Sequence, residues 1–398
     1  MEFFRRLYKR IKLFINTKEF RRFSPLVVVA LAALVMFVTC VPWQEPEPEP
    51  PPPFIATPPP ATPSPTPSPT PTPEPTPEPT PEPTPEPEYT GPVNPLTGLP
   101  TEEDLSANRP LAIMINNHRG ALPQVGISHA DIIFEILAEG GITRMLALYQ
   151  DVSDVGVIGS IRSARTYYVD VAQSFDAIYI HAGGSNQAYS ALSSRGITRC
   201  DGVQGPHAEI FYRDSNRKHM SFEHQLVTTG ARISEKLPTY NNFRMVHADG
   251  YKRELSFVED GAPEGGIPAV DFTVKFGGSS KTTSFKYDTE DKLYYLRQYN
   301  SAYQDGNDKK QVAVTNVMIL RTSISGIPGD TEGRLDIKTT GRGSGYYICG
   351  GKYVEIDWSR ADNPSQFIYT NKDGSELELG QGKTYVCIIS NSVELVLE

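Results

Sequence analysis

Residues 45–88 read EPEPEPPPPFIATPPPATPSPTPSPTPTPEPTPEPTPEPTPEPE and hold 22 of the chain's 35 prolines. Proline lacks the N–H a ladder needs, and the segment has almost no apolar surface to bury, so it is expected to stay extended as polyproline II. At ~3.1 Å per residue it reaches on the order of 140 Å. It splits the chain into a short N-terminal part and a head, and only the head is long enough to build a sizeable core.

Residues 1–24 carry eight Lys/Arg against two Glu, and residues 44–88 carry eight Glu and no base. With -9 overall, the remainder from Tyr89 is -7, an ordinary globular surface charge with no basic excess to suggest nucleic acid. The uncharged run Leu26–Trp43 is near the minimum for a membrane-spanning helix. Its basic flank assigns residues 1–24 to the cytoplasm and the rest to the outside. Two readings of 25–43 stand side by side: an uncleaved signal anchor, or a lipoprotein signal whose Cys40 is lipidated, with "FVTC" a poor cleavage site. Both place the protein on the extracytoplasmic face of the cell membrane, with 44–91 as a stalk.

Strand-like and helix-like stretches alternate over 92–245, which predicts an α+β (or α/β) first domain. "PLAIMIN" is a buried strand. "DIIFEILAEGGITRMLALYQ" reads as a hairpin turning at Gly140-Gly141, or as a helix capped by Ser128. A helix follows "IGSIRSAR", capped by Ser160 or Ser163. A strand, a Gly-Gly turn and a helix capped by Ser185 follow in "AIYIHAGGSNQAYSALSSRG". "SFEHQLVTTGARISEKL" reads as a further helix broken or ended by Gly230. A Gly/Pro/charge-rich linker, 246–267, leads to a β-rich second domain over 268–398, expected as a sandwich or a bent sheet. Cys349 and Cys387 lie in strand-like stretches; they pair if those strands are neighbours and are buried thiols otherwise.

Arg162 and Arg165 lie where a helix opens, and there the dipole favours an anion over a cation. An oxyanion held between the two guanidiniums would remove the conflict. Equally, both pair with Asp131, Glu135 or Glu139, and Arg144 joins either arrangement. His181, at a strand end before Gly183-Gly184-Ser185, is a candidate ligand contact, or a satisfied histidine in a tight turn. Asn116, after the first strand, is the third candidate, beside Asn117 and His118. No spacing of Cys or His indicates a metal, and no cofactor fingerprint is present.

"RPLAIMINNH", "PQVGISHADIIFE", "AEGGITRMLALYQ", "IGSIRSAR" and "AIYIHAGGS", followed by "VTNVMIL…GRLDIKTTGRGSGYYICGGKYVEIDW", resemble in that order the YerB-like lipoprotein family, also described as domain of unknown function 3048. The resemblance covers nearly all of 92–390. It implies a Gram-positive-type surface protein anchored outside the membrane with a two-domain head, and it brings no activity. The chain departs from the family pattern at Gly159-Ser160, where Gly-Pro is expected, and at Glu223-His224-Gln225, where Pro-His-Asn is expected. "VIGSIRSAR" is also similar, over a handful of residues, to the Ser-Ile-Pro-Arg-Asp stretch of the LytR-CpsA-Psr phosphotransferases, which hold a lipid pyrophosphate with arginines.

Two functions follow as expectations. One is an envelope protein that binds an anionic cell-wall polymer or an envelope protein partner. The other is a transferase of phospho-linked glycan, with Arg144, Arg162 and Arg165 on a pyrophosphate and Asp131 or Glu135 as metal ligand or base.

Overall fold

The computed structural model describes residues 89–398 apart from 206, 277–280, 396 and 398. The basic segment, the membrane segment with Cys40 and all but the last residues of the stalk lie outside the described residues. No helix among the described residues is long and apolar enough to cross a membrane.

The first half supplies β1 (Leu111–Asn116), β2 (Ile132–Leu137), β3 (Thr143–Tyr149), β4 (Val157–Gly159), β5 (Ile178–His181), β6 (Arg199–Asp201), β7 (Tyr212–Arg213) and β8 (Leu226–Thr229). Its helices are α1 (Thr166–Ser174), α2 (Asn186–Ser194) and α3 (Gly230–Lys236). The second half supplies β9 (Asp271–Lys275), β10 (Thr282–Asp288), β11 (Leu293–Gln298), β12 (Asn316–Thr322), β13 (Gly341–Cys349), β14 (Lys352–Arg360) and β15 (Thr384–Ser390).

An 11-stranded sheet runs through both halves, in the order Ile267–Pro268, β14, β13, β12, β15, β2, β3, β1, β5, β6, with Ile368–Asn371 paired to β14. At its centre β2 pairs β15 in parallel, Ile132 facing Thr384 and Ile136 facing Ile388. β1, β2 and β3 are almost wholly buried, which is why they read as continuous apolar runs rather than alternating ones. One face packs on α1 and α2 and on Trp358, Phe367 and Tyr369. The other packs on a five-stranded sheet built on β9, β10 and β11, through Phe272, Val274, Phe285, Tyr294 and Leu296.

The β2–β3 hairpin forms, with Gly140 and Gly141 at φ 72° and 71°, the left-handed region that glycine enters without steric cost. Ser185 caps α2 by accepting from Ala188 N, and Gly196 follows that helix at φ 63°. The start of α1 differs from expectation. Arg165 is its N-cap residue, and neither Ser160 nor Ser163 caps it. The stretch "SFEHQLVTTGARISEKL" is also corrected. Phe222–His224 form a 3-10 turn, β8 follows, and Gly230 opens α3 instead of ending a helix. Thr229 Oγ1 caps it by accepting from Arg232 N, and a Cβ on Gly230 would stand 1.8 Å from Val152 O. Cys349 and Cys387 are free and buried, and β12 runs between their strands.

Glu135 is fully buried where the two sheets meet. Its carboxylate accepts from Asn117 Nδ2 at 2.8 Å, Thr143 Oγ1 at 2.5 Å, Thr283 Oγ1 at 2.6 Å and Tyr385 OH at 2.7 Å. Lys281 Nζ lies 3.4 Å from it and donates to Gln298 Oε1 at 2.8 Å. Burial pulls the Lys281 ammonium below its ordinary pKa, and Glu135 opposes that pull.

Glu135→Ala leaves a buried ammonium without its counter-charge, so urea unfolding should show a loss of about 3–5 kcal/mol, and the Glu135→Leu/Lys281→Met pair should lose much less. Equal losses would show that the pair's charge compensation is not what matters. Gly230→Ala should be destabilising by at least ~1–3 kcal/mol, because the Val152 carbonyl has to move.

Candidate functional site

The carboxyl ends of the parallel strands β1, β5 and β6 face the same edge of the large sheet. In open α/β sheets such ends, next to helix starts, form the crevice where ligands bind. The segment Ile161–Arg165 crosses this edge. Arg162 N donates to Met114 O at 3.0 Å, Ala182 N donates to Arg162 O at 3.0 Å, and Ala164 N donates to Gly183 O at 2.9 Å. The arginines therefore lie on a strand-like bridge pinned to β1 and to the turn after β5.

The bridge separates the two arginines. Arg165 donates from Nε to Glu139 Oε1 and from Nη1 to Ala164 O at 2.7 Å. Arg144 Nη2 lies 3.2 Å from Glu139 Oε2, and its Nη1 donates to Ser163 O at 3.2 Å. Glu139, at the tip of the β2–β3 hairpin, thus joins both guanidiniums. Burial works against its charge, but Arg165 and Arg144 outweigh it, and the carboxyl sits below its usual range. Arg144 Nε is buried without a hydrogen-bond partner among the described residues.

Arg162 makes no ion pair with any carboxylate among the described residues; its recorded contact is Nη1 to Glu223 O at 3.4 Å. Burial first, then the nearby Arg144, pulls its pKa down to about 10. The Arg162 charge reaches one imidazole, that of His224, and a second ring packs on it. His118 and His224 stack with ring centroids 5.3 Å apart. Asn116 Oδ1 accepts from His118 N at 2.9 Å, so its Nδ2 is the donor to His224 Nδ1 at 2.9 Å. Gly120 N donates to His118 Nδ1 at 3.0 Å. With both Nδ1 atoms accepting, the proton of each neutral ring is assigned to Nε2. Arg217 fixes the far side, donating to His224 O, Pro123 O and Ala121 O at 3.0, 2.8 and 2.6 Å. Burial lowers the His224 pKa, while Glu223, 3.8 Å from Nε2, works the other way. The result is one guanidinium and two imidazole rings whose Nδ1 atoms accept and whose Nε2–H groups remain to donate, a set suited to holding an oxyanion.

The remaining candidates have other places. His181 is fully buried, with Nδ1 2.9 Å from Gly183 O, and it shapes the turn that carries the bridge. Burial lowers its pKa and Asp201 opposes this. Its Nε2 has no hydrogen-bond partner among the described residues. Glu135 lies on the opposite face of β2–β3 from Arg144, packed toward β10. Asp131 precedes β2, at the other end of that strand from Glu139, and accepts from Asn94 Nδ2 at 2.9 Å and Gln150 N at 2.6 Å. The structure therefore gathers Arg144, Arg165 and Glu139 into one ion cluster, places Arg162 and Asn116 beside the histidines, and leaves Asp131 and Glu135 away from both. His224 was not singled out from the sequence as a site residue; the His207 ring packs tilted against that of Tyr240, centroids 3.9 Å apart. Among the described residues no group of three or more His, Cys, Asp or Glu is placed to hold a metal ion.

Residues 96–243 match the model for the N-terminal domain of the proteins of unknown function DUF3048, and residues 272–386 match the model for that family's C-terminal domain. The chain belongs to the DUF3048 family. It is 32% identical over 303 residues to a Bacillus subtilis (strain 168) protein named "Putative lipoprotein YerB", covering 74% of this chain and 85% of the relative. The crystal structure of YerB protein from Bacillus subtilis aligns with a TM-score of 0.63 at 30% identity, over 75% of this chain and 96% of that one. The family's two domain models thus fall on two lengths of chain that share the large sheet described above.

Burial raises the Asp131 carboxyl from 3.8 to about 6, against the hydrogen bonds from Gln150 and Asn94. The folded state then binds this proton more tightly than the unfolded one. Stability should fall as pH rises from about 4 to about 6, by roughly 2–3 kcal/mol for this group alone. Urea unfolding across that window, with Asp131→Asn beside the native chain, should show the slope flattened in the variant.

Proposed function

We propose that this protein works at the cell envelope as a binding protein, and that its head holds an anionic ligand at Arg162. The name of the Bacillus subtilis relative, a lipoprotein, supports the envelope location, and so does the sequence of residues 1–43 with its basic flank and uncharged run. A wall polymer and an envelope protein partner are the two ligand sources at that location.

One observation carries the ligand reading. Arg162 is partly buried and has no carboxylate partner among the described residues, while the neighbouring Arg144 and Arg165 share Glu139. A guanidinium that is partly desolvated and near like charges is costly unless an anion compensates it, and Glu223 and Glu139 act on Arg162 without pairing with it. The Nε2–H groups of His118 and His224 add donors without adding charge. Binding is favoured over transfer of a phospho-linked glycan, because the carboxylates that transfer would use, Asp131 and Glu135, are engaged elsewhere.

Titration calorimetry with inorganic phosphate and with short polyglutamate should give binding that weakens as salt is raised. Arg162→Ala should weaken it by about tenfold or more, the scale of a lost charge-assisted hydrogen bond. Arg165→Ala should leave affinity within about threefold while lowering the melting temperature, since that side chain supports Glu139. The opposite pattern, affinity lost with Arg165 and kept without Arg162, would overturn the assignment.

A further inference from the structure

The two most exposed large apolar side chains among the described residues are Phe222 and Val203, at 66% and 65%. Phe222 stands at the rim of the Arg162 site, and Val203 stands over the turn that carries the bridge. Phe222 directly precedes Glu223, whose carbonyl receives Arg162 Nη1. Val203 overhangs the bridge: a Cβ on Gly183 would lie 3.5 Å from Val203 Cγ2 and 3.6 Å from Ser163 Oγ. Phe222 is also held in place. The Arg213 guanidinium lies 3.2 Å from its ring centroid, and Arg213 Nη1 donates to Phe222 O at 2.6 Å. An exposed ring kept rigid from below loses little entropy when its free face is covered.

We propose that the occupant of this site is an acidic segment of a partner protein, in which one carboxylate meets Arg162 and apolar residues beside it cover Phe222 and Val203. The proposal rests on the anion reading of Arg162 and deepens it. An extended peptide that sets a carboxylate on Arg162 presents its neighbouring side chains at alternate positions, where an apolar one can cover Phe222. An acyl chain needs a continuous apolar groove, and a hydrophilic phosphate polymer gains nothing from covering a phenyl ring and a valine. Charge complementarity favours the same occupant. The Arg213 guanidinium against Phe222 adds positive charge beside that ring, and Arg162 makes no ion pair among the described residues. Aromatic and arginine side chains are the common anchors of protein interfaces.

The test uses the full-length chain on a peptide array in which a central glutamate is flanked at alternate positions by each residue type in turn. Inorganic phosphate and anionic phosphatidylglycerol vesicles are measured beside it. The expected result is strongest binding with Leu, Ile, Val or Phe at the flanks and loss on Glu→Gln at the centre. Arg162→Ala should weaken binding to peptide and phosphate alike, by about tenfold or more. Phe222→Ala and Val203→Ser should weaken the peptide by about tenfold each and leave phosphate unchanged, with thermal melts confirming folded variants. Binding that ignores the flanking residues or Phe222, with phosphate still held by Arg162, overturns the peptide and leaves the anion site standing. Phe222-dependent binding to vesicles with no peptide preference overturns it in favour of a membrane surface. If neither phosphate nor any peptide binds, the anion reading falls as well.

Discussion

The parallel pairing of β2 with β15 is the constraint from which the rest of the head follows. It sets Glu135 and Tyr385, 250 residues apart in sequence, within one hydrogen bond of each other. Closing so long a loop costs only slightly more than closing a short one, because the entropy grows with the logarithm of length. What has to be offset is the burial of polar groups. Glu135 and Lys281 meet beneath this pairing, and every donor around the carboxylate comes from a different strand or loop. A buried ion pair is a weak source of stability but a strong source of specificity in this geometry, since any slip of β2 by one residue would turn Glu135 toward α1 and strand Lys281.

The same two-residue alternation separates the charges that the sequence set side by side. Glu135 goes to the face packed on β10, and Arg144, across the hairpin, goes to the face that carries α1. Glu139 escapes the alternation because it sits at the turn, where a Gly-Gly pair lets the chain reverse. It can therefore reach Arg144 and Arg165 together. Arg162, only three residues from Arg165, is carried by the bridge to the other side of the β1 end, toward His118 and His224. That it makes no ion pair among the described residues is thus a consequence of strand geometry rather than of local sequence.

Much of this was legible in the sequence wherever short-range chemistry decides the outcome. The Gly140-Gly141 turn, the Ser185 cap and the Gly196 stop each rest on residues within a few positions of one another, and all three form. The β-rich character of the second half was likewise plain from its alternating aromatic and β-branched runs. The misreading of "SFEHQLVTTGARISEKL" has a tertiary cause. Val227 and Thr228 pair with β4, which overrides the helical spacing, and Val152 O lies so close to Gly230 that only glycine fits where the helix begins. His224 was hidden for the same reason, because its place beside Asn116 depends on the turn that precedes β8. Which of two arginines would find a carboxylate could not be read from "RSAR", since the deciding Glu139 belongs to another hairpin.

The most direct test of the account is to follow arginine side-chain Nε–H resonances by NMR while inorganic phosphate is added, with Arg162→Lys used for assignment. The account predicts that the Arg162 resonance shifts and saturates, while those of Arg165 and Arg144, held by Glu139, stay nearly still. Shifts at Arg165 and Arg144 with Arg162 unmoved would contradict it.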